Sequence, residues 1–156
     1  MSQPLSLPWS ALLEALAETP ERLRQLLAGV PHEVNCQRPA DDRWSVCEIV
    51  AHMCAVEPPY RARLARIVLE ENPHVAAIGR ITGDYDPATP VVILLDTFVR
   101  LRADTVAFLR QLPPDARARP AVHAELGPIT LRSQVESLLA HDQEHLAQIE
   151  KLLGSR

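Results

Sequence analysis

The sequence predicts an all-α fold, a bundle of four helices, and three observations lead there. Apolar residues recur at helical spacing over four stretches of the chain, and no stretch alternates convincingly in the manner of a strand. Between those stretches the chain is punctuated by 14 prolines, against only 5 glycines. Four segments of about 20 residues, each about 30 Å long, suit one bundle. The 156 residues are enough for one real core and too few for two. Residues 1–156 are therefore read as a single helical-bundle domain.

The first segment covers about 8–27, with Leu12, Leu13, Leu16, Leu23, Leu26 and Leu27 as its apolar residues. Pro20 interrupts it. Thr19 before the proline reads as a capping hydroxyl followed by proline at the first helical position. The expectation is a helix over 8–18 kinked into a second over 20–28, ending at Gly29. After a connector with Pro31 and Pro39, Ser45 reads as an N-cap, and Glu48 three residues later completes a capping-box pattern. Val46, Ile49, Val50, Met53 and Val56 carry the stripe of this helix. Pro58-Pro59 should kink or restart it before it continues to about Glu71.

Residues 72–88 read as a loop with Pro73, Gly79, Gly83 and Pro87. Thr89-Pro90 reads as a cap and first-turn proline for a helix with Val91, Leu94, Leu95, Phe98, Leu101, Phe108, Leu109 and Leu112. Pro113-Pro114 stops it, and 113–129 reads as loop. Thr130 caps the last helix, 131–153, with Leu131, Val135, Leu138, Leu139, Leu146, Ile149, Leu152 and Leu153. The connector lengths imply at least one crossover rather than four tight hairpins.

Composition excludes several classes of function. Hydrophobic residues make up 47% and charged residues 23%, as in ordinary soluble globular proteins. The longest aliphatic run, 91–95, is far short of the ~20 residues of a membrane span. The start, MSQPLSLPWS, has neither a basic opening nor a long apolar stretch, so no secretory leader is expected. Cys36, Cys47 and Cys54 form no CxxC and cannot all pair within one chain, which suits a reducing cytoplasm. A net charge of -4 and 4% aromatic residues disfavour nucleic acid as a partner. There is no glycine-rich cofactor motif, nucleophile elbow or Walker loop.

The chemistry of the chain concentrates in HDQEH, residues 141–145, and in His52. His141 and His145 are four apart on a helix, so their rings share one side and can reach one metal. On that pair alone, two solvent-facing histidines is the simpler reading. Helical angles favour another: His52, His141 and His145 all fall at the margins of their apolar sectors, where rings from two helices can meet in a cleft. The His-x-x-Glu-His string also matches inverted zincin proteases, with Glu144 as base. Only 11 residues follow His145, too few for the distant third ligand such proteases need.

Three charged residues fall inside apolar stripes on three different helices: Glu57, Arg102 and Asp142. A lone buried charge is too costly to persist. The expectation is that Arg102 pairs with Glu57 or Asp142 and fixes helix register; the alternative is that all three reach solvent. Trp44 reads as a staple at the start of the second long helix, and Cys47 and Cys54 as small core or surface residues. His123 is placed to approach the cleft, whereas His32 and His74 read as solvated.

WSVCEIVAHMCAVE (44–57), FVRLRADTVAFLRQL (98–112) and GPITLRSQVESLLAHDQEHLAQI (127–149) resemble the DinB-like (YfiT-like) superfamily over about 19–153. The anchors are a WSxxEIxxH helix start and an HDxxH near the C-terminus. The resemblance implies a four-helix bundle, often a homodimer, in which three histidines hold a divalent metal, commonly zinc or nickel. Carried over, the ligands are His52, His141 and His145. Relatives include enzymes that transfer low-molecular-weight thiols such as bacillithiol or mycothiol, and others described as metal-dependent hydrolases. This chain departs from the family at Pro58-Pro59, where relatives continue the helix.

Three neutral imidazoles leave a divalent cation its charge and an open position, where a water's pKa falls toward ~7 and a thiol binds as thiolate. Structural zinc sites usually close with four ligands, so three favour an enzyme acting on a small molecule. Glu48 is the carboxylate expected to orient His52 or take a proton, unless it serves only the cap. Gln148 is expected to contact a bound molecule, and Glu144 flanks the ligand face. The competing reading is a non-catalytic dimeric stress-response or binding module whose metal is structural or absent.

Overall fold

The computed structural model describes residues 6–154. The first five residues, half of the stretch read as lacking a leader, and the last two lie outside the described residues. Among the described residues, four long helices form the bundle: α1 (Trp9–Leu27), α3 (Val46–Leu69), α4 (Val91–Arg110) and α5 (Leu131–Gly154). A one-turn helix, α2 (His32–Asn35), sits in the first connector. α1 packs mainly against α4 and α5, and α3 packs against the same two. The consecutive long helices α1 and α3 therefore stand diagonally across the bundle.

The three prolines expected to kink or break helices, Pro20, Pro58 and Pro59, are absorbed within them. α1 is one continuous helix with Pro20 inside, not two, and it starts after Pro8 without a side-chain cap. A proline nitrogen carries no hydrogen, so the Leu16 carbonyl loses its usual partner. Arg102 Nη1 supplies the missing donor at 3.0 Å from Leu16 O. Thr19 is not a cap either; its hydroxyl donates to Asp142 Oδ2 at 2.7 Å. α3 runs unbroken through Pro58 and Pro59.

The caps divide. Ser45 and Glu48 form the expected capping box, Ser45 Oγ accepting from Glu48 N and Glu48 Oε1 accepting from Ser45 N, each at 3.1 Å. Thr130 caps α5 reciprocally with Ser133: Thr130 Oγ1 accepts from Ser133 N at 3.0 Å, and Ser133 Oγ from Thr130 N at 2.9 Å. The Thr89 cap does not form. Pro90 itself is the N-cap residue of α4, with no side-chain bond.

The segments read as loops hold a small sheet. β1 (His74–Val75) pairs in parallel with β2 (Pro120–His123), which pairs antiparallel with β3 (Gly127–Thr130), Pro120 opposite Thr130 and His123 opposite Gly127. A 3₁₀ helix, Pro114–Ala118, precedes β2. Because β1 and β2 are parallel, the chain between them must cross over, and α4 makes that crossover. Strands of two to four residues are too short to show the alternation by which strands are recognised in sequence.

Buried apolar side chains form two clusters, one around Leu12, Leu16, Val56, Val106 and Leu138, the other around Leu23, Met53, Phe98, Leu146 and Ile149. Near the join of the two clusters each long helix contributes a buried polar residue to one network: Thr19, Glu57, Arg102 and Asp142. Arg102 pairs with both carboxylates. Its Nε and Nη2 reach Glu57 at 2.8 and 3.0 Å, and its Nη1 and Nη2 reach Asp142 at 2.6 and 2.9 Å. With the Leu16 carbonyl, all five guanidinium hydrogens have acceptors. The alternative in which these charges reach solvent is excluded, since all three are 1% exposed.

A candidate metal centre between two helices

His52 projects from α3, and His141 and His145 from α5, two helices in direct contact. The capping box fixes where α3 begins, and His52 follows two turns later beside the core residue Met53. His141 Nε2 lies 3.0 Å from His52 Nε2 and 3.1 Å from His145 Nε2. His52 and His145 are buried, and His141 is half-buried.

The other ring nitrogens decide what these atoms can do. His52 Nδ1 is 2.6 Å from the Ile81 carbonyl, which only accepts, so Nδ1 carries the hydrogen and Nε2 is bare. His145 Nδ1 faces Gln148 Oε1 at 2.9 Å, which again leaves Nε2 bare. Between these two lone pairs sits His141 Nε2, and a single hydrogen on it can serve only one of them. The remaining nitrogen contact is then lone pair against lone pair, in a partly dry setting. A divalent cation satisfies all three at once. Two nitrogens about 2.0–2.1 Å from one ion are roughly 2.9–3.4 Å apart for octahedral to tetrahedral angles, so the donor set fits a metal.

Electrostatics point the same way. Burial holds His52 below the usual histidine range. His141 is pushed down to about 3, chiefly by burial and then by the neighbouring imidazoles. Neutral rings with available lone pairs are what a metal requires.

The triad opens on a cavity of about 910 Å³. Trp44 belongs to its wall rather than acting only as a staple; its ring lies 4.8 Å from that of His52, and the Arg80 guanidinium stacks 4.1 Å over it. Arg63 lines the opposite part, held by Gln134 Oε1 at 2.9 Å and by the Ala76 carbonyl. His123 also faces in. Its Nδ1 accepts from the backbone nitrogens of Glu125 and Leu126 at 3.0 and 3.2 Å, so its hydrogen is on Nε2. Glu144 is on the cavity wall as well.

Glu48 is not. Arg38 grips both its oxygens at 2.8 and 2.6 Å, and one of them also accepts from Ser45 N. That Arg38 pairing holds the Glu48 carboxyl below its ordinary range. It stabilises the start of α3 and does not line the cavity. Gln148 lines the cavity but spends its carbonyl on His145. Arg63, Arg80, Trp44 and the Ile81 carbonyl are contributions to the site that the sequence reading missed. Arg80 and Ile81 come from an irregular segment with no periodic signal. Trp44 and Arg63 had one: a tryptophan before a cap, and a charged residue on the apolar side of α3.

A family profile described as the DinB superfamily matches residues 15–149. A solved structure described as YfiT from Bacillus subtilis, a probable metal-dependent hydrolase with an unusual four-helix bundle topology, superposes with a TM-score of 0.81 at 20% identity. That match covers 97% of this chain and 91% of the other. No curated protein matches this chain.

Proposed function

The chain belongs to the DinB superfamily, and from that premise we propose that it is a divalent-metal-dependent hydrolase of a small molecule, with His52, His141 and His145 as the ligands. The observation that carries this reading is the convergence of three Nε2 atoms, two of them bare, at the floor of an open cavity. A zinc or nickel ion held there supplies an acidified water and an electrophile for a substrate oxygen. The Ile81 carbonyl and Gln148 lock two of the three rings in the tautomer a ligand needs. Around the open side, His123 offers an Nε2–H donor to a polar substrate atom, and Glu144 is the carboxylate placed to take a proton. Trp44 and Tyr60 give the cavity apolar walls, and Arg63 and Arg80 favour a substrate with an anionic group.

Two comparisons test this. Untagged wild-type protein is expected to purify with about one equivalent of metal at this site, and His145→Ala to lose it; equal content in both overturns the ligand assignment. A panel of small esters and amides is expected to be cleaved by metal-loaded protein and spared after chelation. Turnover only when a low-molecular-weight thiol is added replaces the hydrolase with the thiol transferase. A metal that binds without turnover of any kind leaves the non-catalytic binding module.

A further inference from the structure

A second group of ligand atoms lies away from the cavity. His32 opens the short helix α2, Cys36 ends it, and Cys47 is in the first turn of α3. The two sulfurs are 3.8 Å apart, and His32 Nε2 is 3.2 Å from Cys36 Sγ. All three ligand atoms fall within 4.8 Å of one another. We propose that His32, Cys36 and Cys47 form a second, thiolate-rich site for a soft divalent cation such as zinc, whose fourth position would go to a solvent ligand on the exposed His32 side.

The separation of the sulfurs is the main argument. Two thiolates each about 2.3 Å from one tetrahedral zinc lie about 3.8 Å apart, whereas a disulfide requires about 2.05 Å. The spacing of the two sulfurs is therefore that of a shared metal rather than of a disulfide. Ligand chemistry agrees, since two sulfurs and an imidazole select zinc over the oxygen-seeking cations. Charge agrees as well. Binding releases two thiol protons to solvent, and two thiolates with one divalent ion make a neutral centre, which suits a place where Cys47 is wholly buried.

The position gives the site a consequence. Cys36 is four positions after His32, and Cys47 is two residues past Ser45, so the ion ties the α1–α3 connector to the start of the helix that carries His52. His32, read from sequence as solvated, and Cys47, read as a small core or surface residue, are ligands on this account. Cys54 takes no part; its thiol donates to the Leu94 carbonyl at 3.3 Å.

Cobalt titration of the chelator-stripped, untagged full-length protein, kept reduced with a phosphine, separates the two centres. Thiolate ligation gives a sulfur-to-cobalt charge-transfer band in the near ultraviolet, which a three-histidine site cannot produce. The wild type is expected to take up two equivalents and show the band. The band is expected to survive in His141→Ala/His145→Ala and in Cys54→Ser, and to vanish in Cys36→Ser. Cys36 is partly exposed, so its variant is expected to keep the wild-type circular dichroism, and Cys47→Ala gives a second check. No band in the reduced wild type, or a band undiminished in Cys36→Ser, overturns the second site. Loss of one equivalent in the double histidine variant with the band retained supports the second site, and loss of both equivalents there overturns it.

Discussion

Arg102 holds two carboxylates from two other helices while being almost wholly out of water. Breaking such a pair from one side leaves the other charges buried without compensation, which typically costs about 3–5 kcal/mol. Arg102→Met is expected to destabilise the protein by that amount in chemical denaturation. Arg102→Lys should recover little, because an ammonium has three donors for the five acceptors now served. A loss under about 1 kcal/mol for Arg102→Met would mean the network contributes nothing that packing cannot replace. This cluster was legible in sequence, since three charges inside apolar stripes on three helices can only pair or escape. Which carboxylate Arg102 would choose was not, because the answer depends on helix arrangement. It takes both.

Also at the residue scale, burial depresses the pKa of His141 to about 3. The unfolded chain, with an ordinary histidine near 6.5, binds more protons between those values. Stability of the metal-free protein should therefore rise with pH across that window and fall as pH drops from about 6.5 toward 3. Thermal melts of chelated protein at stepped pH check this. The slope should be shallower in His141→Asn, and an unchanged slope would remove His141 from the explanation.

At the scale of elements, proline was read as punctuation, and α1 and α3 show where that rule yields to tertiary structure. A proline in a helix interior usually costs about 3 kcal/mol, largely through the unpaired carbonyl and the ring's clash. In α1 the freed Leu16 carbonyl is bound by Arg102 from another helix. Pro20→Ala is accordingly expected to stabilise by about 1 kcal/mol or less; a gain near 3 kcal/mol would show that the Arg102 bond compensates for nothing. Nothing local in the sequence could announce that bond. The start of α3 was readable, because a capping box is a local pattern and Ser45-x-x-Glu48 carries it complete. Ser45→Ala should cost about 1–2 kcal/mol, with helix loss by circular dichroism following the same transition. Arg38 was not readable, being ten residues from the Glu48 it binds.

For the whole molecule, the sequence defined four helices and a crossover but not their arrangement around the bundle. The diagonal placement of α1 and α3 depends on which helices pack together, and the crossover through α4 on strands too short to carry a pattern. Arg80 and His123, which line the cavity, and Ile81, whose carbonyl holds His52, sit on these irregular or short elements. That is why helical phase identified the histidines, Glu144 and Gln148, and His123 was placed near the cleft, while Arg80 and the Ile81 carbonyl went unread. The homodimer implied by the resemblance is a proposal at this scale. Light scattering of the metal-loaded protein should give twice the monomer mass, and a monomer at all accessible concentrations would rule it out.

The most direct test is anomalous diffraction at the metal edge from crystals of untagged, zinc-loaded protein. One strong peak should lie among the three rings, about 2.0–2.1 Å from each of the Nε2 atoms of His52, His141 and His145. Metal-loaded crystals that diffract well and show no peak among those rings would contradict the account.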